Sequence, residues 1–162
     1  MTRKQRRIHR NAARLLRYST PLRADCGALC ERACCKGDDE TGMLLFPGET
    51  TPFRVTEKNG RRLAVCGGTC RRAERPLSCR LFPFLPLPKD DGTIDVRPDP
   101  RGKGVCPLVR LENEAAFSHR FLHRVRRVGL LLLRDEETRA FLYALRREAE
   151  TCEALQDLLF EK

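Results

Sequence analysis

Eight of the chain's nine cysteines lie between residues 26 and 106, in the order Cys26-x3-Cys30-x3-Cys34-Cys35, Cys66-x3-Cys70, Cys79 and Cys106. The segment that carries them is interrupted by Pro76, Pro83, Pro86 and Pro88, and their missing N–H groups forbid helix and central strand alike. Its sheet signals are two. Residues 53–56 and 63–65 flank Asn59-Gly60, a pair suited to the positive φ of a tight turn, and Asp90-Asp91-Gly92 precedes a second, weaker hairpin at 93–96. Short hairpins are marginal alone. Ordering about 80 residues costs on the order of 100 kcal/mol of conformational entropy, whereas a structural metal site supplies on the order of 10 kcal/mol. The sequence therefore predicts a cysteine-rich module folded by its metal.

The residue types agree with that chemistry. The basic N-terminus lacks an apolar stretch of signal-peptide length, which predicts a cytoplasmic protein whose thiols stay reduced. The longest apolar run, residues 128–133, is too short to span a bilayer. A three-residue gap between thiols falls in the range of zinc sites, and on an α-helix Cys26, Cys30 and Cys34 would share one face. Cys26, Cys30, Cys34, Cys35, Cys66, Cys70, Cys79 and Cys106 are thus eight candidate metal ligands, a number that divides into two four-thiolate sites; one site with fewer ligands also satisfies the spacing. Soft donors select zinc or an iron–sulfur cluster. Four thiolates on Zn²⁺ leave a charge of about −2, and Arg32, Lys36, Arg71, Arg72 and Arg80 stand within two residues of a candidate ligand to compensate it. Cys152 lies on the apolar stripe of a C-terminal helix and reads as core.

The cysteine pattern together with Arg75-Pro76-Leu77-Ser78-Cys79-Arg80-Leu81-Phe82-Pro83-Phe84 resembles the bacterial YkgJ-like cysteine-cluster family over residues 25 to 107. The resemblance implies a zinc- or iron-chelating domain. The family also includes flagellin lysine methylases, so it further implies, as an alternative, an iron–sulfur-dependent enzyme using S-adenosylmethionine for methyl transfer, or a redox enzyme. Within the motif, Arg80 is placed to donate to a cluster sulfur or to hold Glu49 or Asp38. Asp38, Asp39 and Glu49 are candidates for an oxygen ligand or general base, with solvated loop acids the simpler reading. No nucleophile elbow and no Gly-rich cofactor turn is visible.

Three compositional regions follow: a basic N-terminal arm (1–24), the cysteine module (25–107) and a cysteine-poor C-terminal helical region (108–162). The net charge is +10, and the arm holds eight Arg or Lys with no acid, so the remaining residues carry only +2. Ile8, Ala12, Leu15 and Leu16 recur at helical spacing in the arm until Ser19-Thr20-Pro21 ends the helix. The arm is expected to contribute charge more than fold. With Arg120, Arg124 and Arg127 it offers nonspecific polyanion contact through residues 3–17, a basic nucleic-acid-associated module being the second alternative; Tyr18 is the aromatic near it. In the tail, Phe117, Phe121, Leu122, Val125, Val128 and Leu132 form one stripe. Asp135 reads as the N-cap of a last helix whose apolar face runs through Leu145, Ala149, Cys152, Leu155 and Leu159. His9, His119 and His123 read as surface helix positions. The expected architecture is α+β: a small, irregular, metal-stabilised cysteine-rich core with short β-hairpins and flanking α-helices.

Overall fold

The computed structural model describes all residues except 1, 25, 39, 112–115, 161 and 162. Its mixture of helix and antiparallel sheet is α+β. The first helix, α1 (Arg3–Leu15), is closed at its N-terminus by a capping box in which Thr2 accepts from the Gln5 amide at 3.1 Å and Gln5 Oε1 accepts from the Thr2 amide at 2.8 Å. Its apolar positions face inward: Ile8, Ala12 and the capping residue Leu16 are buried in the main core. The expectation that this arm adds charge more than fold is corrected by that burial. The 3.6-residue period places one thin apolar stripe on a very basic helix, and that stripe finds a partner in α3 (His119–Leu132).

The two hairpins form where the turn chemistry places them. Strands β2 (Arg54–Lys58) and β3 (Arg61–Val65) pair antiparallel across Asn59 and Gly60, both at positive φ. A two-residue strand, β1 (Met43–Leu44), joins the other edge of β3, giving the order β1-β3-β2. Strands β4 (Phe84–Pro88) and β5 (Ile94–Pro98) make a separate antiparallel pair. At its ends Lys89 donates to Thr93 and Asp99 donates to Pro83, so the hydrogen-bonding residues of β4 are odd-numbered. Pro86 and Pro88 fill the alternate positions, where the ladder asks for no donor.

The prolines do not forbid helix, however. A short helix, α2 (Leu77–Leu81), starts directly after Pro76 and stops before Pro83. Proline fits the start of a helix because its φ is already helical and its missing donor has no partner there. All five residues of β4 are buried, between α3 and α4 (Glu136–Phe160).

The core draws on all three compositional regions. Ile8, Ala12 and Leu16 meet Leu77, Leu81, Phe84, Leu87 and Cys106 from the middle, and Phe117, Phe121, Val125, Val128, Leu132, Leu142 and Leu145 from the tail. Phe84 packs edge-on against Phe117 at 4.8 Å between ring centroids. Asp135 accepts from the Thr138 amide at 3.0 Å, as an N-cap should, and also from Gln5 Nε2 at 3.3 Å, which ties α1 to the start of α4. Of the stripe expected on α4, Leu145 and Ala149 are buried, alongside Leu142, whereas Leu155 and Leu159 are exposed, contrary to that expectation.

Candidate metal centre

The first cysteines do not lie on one α-helix. Cys26–Leu29 and Ala33–Cys35 are two 3-10 turns, separated by Glu31 and Arg32 in the left-handed region at φ 47° and 57°. The backbone reversal sends the Cys34-Cys35 turn back across the end of β3. There Gly37 N–H donates to the Cys66 carbonyl and Gly68 N–H to the Cys35 carbonyl, each at 3.1 Å, around a bridge between Lys36 and Gly67. Two glycines permit this approach. A Cβ on Gly37 would sit 2.8 Å from the Thr41 carbonyl oxygen, and Gly68 holds φ +94°.

The other thiols are brought in by separate devices. Arg75 Nε donates to Cys70 Sγ at 3.3 Å. Cys79 rides on α2, whose first amide, Leu77 N–H, donates to the Glu49 carboxylate; the same carboxylate accepts from Phe46 N–H at 3.0 Å. Cys106 is buried in the main core at the head of a 3-10 turn, Pro107–Arg110, and its amide donates to Gly102 at 2.8 Å. Cys26 packs against that same core. Among the described residues no cysteine is in a disulfide.

The electrostatics link seven of the thiols to one another. The Cys34 thiol is pushed well up by its hydrogen bond with Cys35 and by burial, then by the negative charge of Cys35, Cys30 and Cys106. Burial also raises Cys106, with Cys30 adding to it. Burial raises Cys66, reinforced by Cys70 and Cys35, and raises Cys79, reinforced by Cys35, Cys70 and Glu49 with Arg75 opposing. Cys34 is thus linked to Cys30 and Cys106 on one side and to Cys35 on the other, and Cys35 and Cys70 are linked to Cys66 and Cys79; Cys26 lies against the same core as Cys106.

Among the described residues, no three His, Cys, Asp or Glu side chains stand in a metal-holding arrangement. The donor set nevertheless fits a soft cation in kind. Its thiols raise one another's pKa because thiolates packed together repel, and a cation among them reverses the sign of that interaction. Zinc or an iron–sulfur cluster held there would supply cross-links between the turn at 26–35, the end of β3, α2 and the turn after Cys106.

The acids and cations named from the sequence take other places. Glu49 is buried, not solvated, and joins the Phe46 turn to the start of α2; burial raises its carboxyl, against the opposing pull of its two amide donors and of Arg80 and Arg62. Arg80 is buried and donates to the carbonyls of Arg75, Ala73 and Ala13, so its hydrogen bonds hold backbone, not sulfur. Arg75, not among the cations named from the sequence, donates to the sulfur of a candidate ligand, Cys70. Its only sequence signal is its place in the Arg-Pro dipeptide before Cys79. Asp38 is exposed and closes its own turn by accepting from Glu40 and Thr41, and Asp39 lies outside the described residues. His119 and His123 are exposed as expected, but His9 is not a surface residue: both ring nitrogens are buried without a hydrogen-bond partner. Cys152 is half-buried beside an open groove of α4, and Gln156 Nε2 donates to it at 3.4 Å.

Compared with protein-family models, curated proteins and solved structures, the chain matches none. Among the described residues no helix is long and apolar enough to cross a membrane.

Proposed function

We propose that the chain is a metal-binding cysteine-cluster protein, holding zinc or an iron–sulfur cluster on two four-thiol groups. Cys26, Cys30, Cys34 and Cys106 form one group, and Cys35, Cys66, Cys70 and Cys79 form the other. What supports this reading is that seven cysteines from distant segments interact: Cys34 with Cys30, Cys35 and Cys106, and Cys35 and Cys70 with Cys66 and Cys79, their thiols raised by burial or a hydrogen bond and then by one another; Cys26 lies against the same core as Cys106. Seven of the eight are only half-buried, with Cys106 alone in the core, whereas a cysteine serving as a small hydrophobe is among the most buried of residues. Arg75 on Cys70, with Arg80 nearby, offsets part of the negative charge of the ligated state.

The test is purification under anaerobic conditions followed by metal and acid-labile sulfide analysis. A colourless protein with zinc and a brown one with iron and sulfide both support the reading and separate its two forms. Cys34→Ser and Cys79→Ser lower metal content and stability together, whereas Cys152→Ala keeps the full stoichiometry. Protein from metal-replete cells that carries no transition metal, keeps a cooperative unfolding transition and has all eight thiols open to alkylation on unfolding overturns it.

A further inference from the structure

The outer face of α1 carries charge that the fold does not use. At about 100° per residue, Arg3, Arg7, Arg10 and Arg14 fall within about 60° of arc, directly opposite the buried Gln5, Ile8 and Ala12. The stripe is about 16 Å long, with successive guanidinium stems about 5 Å apart along the axis. All four residues are exposed. With Lys4 and Arg6, the first three surround an open hollow of about 730 Å³.

Some cations elsewhere in the molecule are neutralised. Arg61, Arg97, Arg101 and Arg146 each meet a carboxylate, and Lys58 meets Glu40. Among the described residues, none of the four stripe arginines is in an ion pair. No acid occupies the first turn of α1, where negative charge would be favourable. Like charges at i,i+3 and i,i+4 destabilise a helix by a few tenths of a kcal/mol per pair, so an ordinary solvated face would interleave acids with them. Exposed Arg120 and Arg127 on α3, the helix α1 packs against, extend the surplus.

We propose that this arginine stripe is a docking surface for the phosphate backbone of a double-stranded nucleic acid. Arginine forks pair two-pronged with phosphate oxygens, and a row of them about 16 Å long spans the axial length of about four to five phosphates on one duplex strand, at about 3.4 Å each. A membrane surface suits it less well. An interfacial helix needs its apolar face free to enter the lipid, and here Ile8, Ala12 and Leu16 are committed to the core. Single-strand recognition would call for stacking aromatics, and α1 carries no Phe, Tyr or Trp; Tyr18, past its end, lies under the Arg17 guanidinium at 5.0 Å. The surface reads backbone, not sequence, and does not depend on what the cysteines hold.

The experiment measures binding of the full-length protein to a duplex DNA and a duplex RNA of about 20 base pairs, to a single strand, and to vesicles containing anionic lipid, each across a salt series. Duplex binding should be independent of sequence, with log K falling linearly in log salt. Arg3→Gln/Arg7→Gln/Arg10→Gln/Arg14→Gln should reduce that slope by about 3 to 4 on DNA, at about 0.9 for each phosphate no longer neutralised. The melting temperature should hold or rise, and Lys89→Gln on another exposed surface should leave the slope unchanged. Absence of duplex binding at low salt, an unchanged slope in the quadruple variant, or preferential binding to the single strand or the vesicles overturns the proposal.

Discussion

Replacing Gly129 with alanine tests how tightly α3 is seated on the β4–β5 pair, and two opposing terms decide its sign. Gly129 sits inside α3. Helix propensity alone favours alanine there by about 1 kcal/mol. Packing opposes it. A Cβ at this position would lie 2.9 Å from Cγ1, Cγ2 and Cδ1 of Ile94, itself only 3% exposed. Three carbons of one stiff, β-branched side chain cannot all move aside within a filled core, and overpacking of this kind costs about 1–3 kcal/mol. The balance is a destabilisation of about 1 kcal/mol, or roughly 2–4 °C in melting temperature for a chain of this size. The assay is thermal unfolding followed by circular dichroism. Ile94→Ala removes all three clashing atoms, so Gly129→Ala should be stabilising in that background, and the double-mutant cycle should show a coupling of about 1 kcal/mol or more. If Gly129→Ala raises the melting temperature of the otherwise unchanged chain, or if the cycle shows no coupling, α3 and β5 are not in the contact described.

Further substitutions probe the remaining joints. Leu16→Ala empties a fully buried position where α1 meets the core and should cost about 2–5 kcal/mol by urea denaturation; a loss under about 1 kcal/mol would return α1 to the status of a charged appendage. Glu49→Ala leaves two buried amides, of Phe46 and Leu77, without an acceptor, for a loss of about 2–4 kcal/mol, and near-neutral behaviour would show that these amides find other partners. Burial holds the His9 imidazole below its ordinary 6.5, against the opposing pull of Asp135. The unfolded chain therefore binds the proton better, and stability present above the unfolded value falls as pH drops through it. His9→Leu should flatten stability between about pH 7 and pH 5; an unchanged slope would mean that His9 is hydrated.

Sequence alone determined the features whose cause is local. The Asn59-Gly60 hairpin, the Asp135 cap and the helical stripes of α1 and α3 each rest on backbone preferences or on a period that a few neighbouring residues state in full. The candidate ligands were legible in the same way, as soft donors at short spacing. Their placement was not: Cys26, Cys30 and Cys34 do not share one helical face, because left-handed Glu31 and Arg32 break the turn and amide contacts carry Cys35 to the end of β3. Likewise no local signal distinguishes a buried Glu49 from a solvated loop acid: its burial comes from amides 3 and 28 residues away. The basic segment shows the same division. Its composition fixed a cationic face, but only packing against α3 decided that the opposite face is core, since burial depends on which surfaces meet and not on the segment's own mean hydropathy.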